Sequence, residues 1–96
     1  MANNLSGNPV RIDTFGADRT VSDSAVKLSS LVVTARAARN CVFIDADGAV
    51  VLDLAVAANS TVVVPGPLFF DSGLTFDESG SSMAANDTIV AFIDKQ

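Results

Sequence analysis

The chain contains no histidine, tryptophan or tyrosine, and a single cysteine. Each absence closes off a class of function. Without histidine there is no imidazole to ligate a metal and no His base for a nucleophilic triad. None of the ten serines therefore has a conventional activator, and turns and strand faces account for them. Without Trp or Tyr, the platforms on which carbohydrate-binding β-modules stack sugars are missing. The lone Cys41 excludes an intrachain disulfide and offers no paired thiolates for a metal; followed by Val42 and Phe43, it reads as a small buried apolar residue. Bases are also scarce, six against eleven acids for a net charge of −5. Apart from Arg36 and Arg39 they are scattered, so no phosphate-neutralising patch forms and no nucleic-acid partner is expected. No apolar run approaches the roughly 18 residues of a membrane span. The longest candidate, AVVLDLAVAANSTVVV (49–64), is broken by Asp53 and Asn59, and no membrane partner is expected. The opening MANNLSGNP lacks both the cationic start and the apolar stretch of a secretory signal.

What is present is apolar and β-forming. Of 96 residues, 49% are hydrophobic, and the mean hydropathy is +0.41. A single domain of this size buries only roughly 60–65% of its unfolded surface. The apolar surplus therefore points to a subunit interface.

Residues 1–8 are polar and predict a flexible arm, leaving 9–96 as the single domain. PVRIDTF (9–15) alternates with the period of a half-buried strand, and GADRTVSDS (16–24) reads as a loop. AVKLSSLVVTARA (25–37) is the longest β-like segment; its apolar phase slips by one residue at Ser29-Ser30, which predicts a bulge or bend. ARAARN (35–40) is too short for a stable helix and reads as the loop before the next strand. CVFID (41–45) and AVVLDLAV (49–56) flank Asp47-Gly48, a hairpin signal. STVVV (60–64) is expected to end at Pro65-Gly66-Pro67, because proline cannot donate to a ladder. LFF and LTFDES lie either side of Asp71-Ser72-Gly73, GSSMAAND (80–87) reads as a second flexible loop, and TIVAFID (88–94) forms the last strand. No segment keeps a helical period over ten residues. The fold class is all-β: a small antiparallel β-sandwich, jelly-roll-like, of seven or eight short strands. Several strands, among them CVF and TVVV, are apolar on both faces, which suggests a second covering surface.

Two motifs invite a chemical reading and fail it. Asp71-Ser72-Gly73 has the composition of an aspartic-protease dyad motif, in which two subunits bring carboxylates together. Only 25 residues follow Asp71, too few for the flap and supporting segments such a subunit needs, so a structural turn is expected. Asp45-Ala46-Asp47-Gly48 begins like a calcium loop, yet its glycine comes at the fourth position and Val56 stands where the closing Glu is required. No catalytic residue, cofactor or metal site is assigned, and the chain is not expected to be an enzyme. Arg36 and Arg39, separated by two alanines, are the candidates for an electrostatic contact with acids of a neighbouring subunit. Phe69, Phe70 and Phe76 are candidates for an apolar one, shared between core and neighbour because successive strand residues point opposite ways.

The succession of an LVVT-type core strand, VFIDADG and VVVPGPLFFDSGLTF, closed by a short apolar strand, resembles small β-sandwich virion proteins of tailed bacteriophages. The likeness covers about two-thirds of the chain. It implies a capsid decoration (cement) subunit on the capsid surface of the virion, synthesised in the host cytoplasm. Its partners would be itself, as a homo-oligomer for which a trimer is one form, and the major capsid protein or other virion proteins. A head–tail connector or tail component is the alternative within that group. A carbohydrate-binding β-module is the alternative from another class.

Overall fold

A computed structural model describes Asn3, Leu5 and residues 7–95, the last of these by its backbone alone. Among the described residues there are eight strands and no helix. They are β1 (Val10–Ile12), β2 (Arg19–Ser22), β3 (Val26–Ala35), β4 (Arg39–Ile44), β5 (Val50–Val56), β6 (Ser60–Phe70), β7 (Leu74–Phe76) and β8 (Thr88–Lys95). They build two four-stranded antiparallel sheets, ordered β1-β8-β3-β6 and β2-β7-β4-β5. The chain crosses between sheets at every connection except the β4–β5 hairpin. This is the jelly-roll arrangement of the β-sandwich, as expected from the sequence.

The core follows from alternation on β3 and β8. Val26, Leu28, Leu31, Val33 and Ala35 of β3, with Ile89, Ala91 and Ile93 of β8, are buried and face the second sheet. That sheet contributes Val21, Cys41, Phe43, Val56, Leu74 and Phe76. Phe76 is the aromatic centre, 5.3 Å from Phe15 and 5.9 Å from Phe43 between ring centroids, both in tilted or edge-on geometries favourable to their quadrupoles. The phase slip at Ser29-Ser30 is a true irregularity: the register of β3 against both neighbours shifts between Leu28 and Ser30.

Asp45 makes the β4–β5 turn. Its carbonyl accepts from Gly48 N–H, and its Oδ1 accepts from the backbone of Asp47 and Ala49 at 2.9 and 3.0 Å. Gly48 has φ +83°, the positive value for which a glycine is the natural choice.

Four local expectations are revised. Residues 19–22 are a strand, not loop; their one large apolar residue, Val21, is buried, and pairing with β7 supplies the rest. Pro65-Gly66-Pro67 does not end β6, which runs on to Phe70. β6 has β3 as its sole neighbour, and an edge strand tolerates proline because one side of its ladder is vacant. Asp71-Ser72-Gly73 joins strands of opposite sheets, so it is a corner and not a hairpin turn. The 80–87 loop is tied down: Ser81 and Ser82 accept from Val42 and Asn40 N–H through their hydroxyls, Ser82 N–H donates to the Asn40 carbonyl, and Met83 and Asp87 are buried.

Of the N-terminal arm, Asn3 accepts from Asp13 and Thr14 N–H and donates to the Thr14 carbonyl. Asn8 pairs with both backbone groups of Ile93 through its side-chain amide, at 2.7 and 3.1 Å, mimicking one more rung of the β1–β8 ladder.

Candidate functional site

The sites proposed from sequence scatter in the fold. Phe76 is fully buried in the chain's own core, so it offers no surface to a neighbour; this corrects its assignment to an interface. Phe70 is half-buried and packs inward against the core. Phe69, one residue earlier, points outward and is 66% exposed. Arg39 does not reach outward for a partner's acid: its Nε donates to Asp87 Oδ2 at 2.9 Å. Asp87 also accepts from Arg36 N–H at 2.8 Å and Ala84 N–H at 2.9 Å, so this fully buried carboxylate is held by three donors. Arg36 itself is exposed, tied to Asp87 only through its backbone. Asp71 is exposed at its corner.

A cleft of about 580 Å³ opens at one end of the sandwich, between residues 13–16, Glu78 and residues 83–88. Its acids are engaged internally. Glu78 Oε1 accepts from Gly16 N–H, Asp13 Oδ1 accepts from the Thr14 hydroxyl, and Asp87 is the triply bonded carboxylate just described. Among the described residues, no three His, Cys, Asp or Glu side chains come together in a way that could hold a metal ion. Burial pushes the Cys41 thiol up to about 12, the direction opposite to that of a reactive thiolate.

The feature that stands out is the outer face of the β1-β8-β3-β6 sheet. The register places outward-pointing residues in rows across three or four strands. One row reads Val63, Val32, Val90 and Arg11; the next reads Pro65, Ser30 and Phe92. Thr61, Thr34 and Thr88 border these rows at one end, where Thr34 and Thr61 share a hydroxyl hydrogen bond of 3.1 Å. Phe69, Lys27 and Asp94 border them at the other, with Lys27 and Asp94 3.6 Å apart. Val63 is 60% exposed and Phe92 41%. In a sandwich with one solvated face per sheet, these positions would be polar. Here alternation fails on the solvent side and the middle of the face is apolar.

From this face the sequence named Phe69 as a contact residue and marked TVVV (61–64) as apolar on both sides. The signal for the others lay in β6 and β8, whose TVVV and IVAFI runs are apolar in both phases; which phase faces inward is settled only by the pairing with β3.

The face and fold together define a jelly-roll module with an uncovered apolar sheet. No protein-family model, curated protein or solved structure matches the chain.

Proposed function

We propose that this protein is a structural subunit of a tailed-phage virion, a decoration protein that stabilises the capsid lattice by assembling on it. The observation that carries the reading is the apolar middle of the outer β1-β8-β3-β6 face, a surface that gains free energy only when something covers it. Two further points support it. The jelly roll is an architecture used by viral capsid proteins, an argument by analogy of fold. The likeness of the 26–93 segment order to small phage virion proteins points the same way. A subunit that binds the intact lattice and not its dissociated parts stabilises it by mass action.

Mass spectrometry of purified phage particles tests the reading. The expected result is this chain at hundreds of copies per particle. Six or twelve copies would assign it to the head–tail connector instead, and its absence from particles would overturn the virion reading.

A further inference from the structure

We infer that the outer face of the β1-β8-β3-β6 sheet is where two copies of this chain meet, face against face. The inference rests on the reading that the protein works by assembling, and it names the partner at this surface as a second copy.

Charge permits that partner. Each copy carries −5, so two copies repel wherever acids face each other. Of the chain's eleven acids, only Asp94 stands at an outward position of this sheet's paired registers, and it lies beside Lys27. Arg11 is the other charge on the face. This face of an acidic chain is therefore not acidic, and a copy can approach it without the repulsion that the remaining surface would raise.

Layout and size agree. The apolar residues Val32, Val63, Pro65, Val90 and Phe92 surround Ser30 at the centre, and the threonines, the Lys27–Asp94 pair and the exposed Phe69 lie at the rim. A mainly apolar middle inside a mainly polar border is the anatomy of a protein–protein interface. The strands β1, β8, β3 and β6 have 3, 8, 10 and 11 residues; at about 3.3 Å by about 4.8 Å per residue they make a face of roughly 500 Å². Two copies together would cover about 1,000 Å², the lower bound for a specific interface. A face that meets its own copy about a twofold axis needs no complementary site elsewhere and closes as a pair.

Sedimentation of the purified full chain, across a concentration series, tests this. The expected wild-type mass at high concentration is twice 9.9 kDa. Val63→Glu combined with Phe69→Glu is expected to weaken self-association at least tenfold and to leave a folded 9.9 kDa species, checked by circular dichroism. Val50→Glu, at a 60% exposed position on the other sheet, is the control and is expected to leave the pair intact. A wild-type chain that stays monomeric overturns the inference, as does a folded double variant that pairs like wild type. Dissociation by Val50→Glu with pairing kept in the double variant would also overturn it. The two proposals fail separately. A monomeric chain that is abundant in particles removes this inference and leaves the virion reading; a chain that pairs through this face but is absent from particles does the reverse.

Discussion

Arg39 and Asp87, 48 positions apart in sequence, form a 2.9 Å ion pair in which the carboxylate is fully buried and the arginine side chain is 22% exposed. The carboxylate also caps the backbone N–H groups of Arg36 and Ala84, so it fastens the β3–β4 turn to the loop that leads into β8. Removing it strands three donors at once. Asp87→Ala is expected to lower unfolding free energy by about 3–5 kcal/mol. Arg39→Ala leaves the carboxylate with two backbone donors and is expected to cost about 1–3 kcal/mol. Urea midpoints of the two variants check the order, and an equal loss would contradict the three-donor account.

Glycine substitutions should rank by what a Cβ meets. At Gly66 it would collide with the carbonyl oxygens of Leu28 and Ser29, which belong to the β3 backbone and cannot swing aside. At Gly73 it would sit 2.7 Å from the Ser22 carbonyl oxygen, at φ +129°. At Gly48 there is open space and only the positive φ to oppose it. Gly48→Ala is therefore expected to cost about 1–2 kcal/mol, and Gly66→Ala and Gly73→Ala about 3 kcal/mol or more, from overpacking against backbone. Thermal denaturation of the three variants tests the ranking.

Stability should fall above pH 9 through Cys41. In the unfolded chain the thiol ionises near its ordinary value of 9.0, whereas burial pushes it up to about 12 in the fold. Between these values the unfolded state releases a proton that the folded state keeps. The contribution is complete below pH 9 and is lost as pH rises towards 12, at about 1.4 kcal/mol per pH unit. Urea titrations at pH 8 and pH 10 should show this loss in the wild type. Cys41→Ala should lack this component of the fall, and an identical pH dependence would contradict the assignment.

The two outermost phenylalanines of the FFDSGLTF stretch should behave oppositely. Phe76→Ala opens a cavity at the aromatic centre and is expected to cost about 3–5 kcal/mol. Phe69→Ser, on an exposed outward position, is expected to stay within about 0.5 kcal/mol when measured on dilute monomer. Equal losses would mean that the inward and outward assignments on β6 and β7 are wrong.

Local chemistry was legible in the sequence wherever one or two residues decide the backbone. Asp45 to Gly48 forms the expected hairpin turn, and the slipped phase at Ser29-Ser30 is a slipped register. The all-β class was legible from short alternating runs separated by turn residues. What was not legible depends on partners distant in sequence. β2 has one apolar residue to announce it and exists because β7 pairs with it. The continuation of β6 through two prolines depends on its being an edge, a fact of topology. The Arg36 and Arg39 pair looked like a contact for a neighbour because Asp87, which holds it, lies half the chain away. The apolar outer face has the same origin: a Val run is ambiguous until the register assigns Val62 and Val64 to the core and Val63 to the outside.

The pairing of β1 with β8 has a kinetic consequence. β8 lies between β1 and β3, so until β8 is in place β1 has no neighbour in its sheet and β3 has only β6. Most rungs of the two sheets' ladders join segments far apart in sequence, and such loops must close before their contacts contribute. Before β8 is in place the chain can form the β4–β5 hairpin and the longer β3–β6 ladder, with one side of β3 still unpaired. The first sheet is complete only when β8 has paired with both β1 and β3. Until then the same apolar strands that later form the sandwich are available to any other unfinished copy nearby.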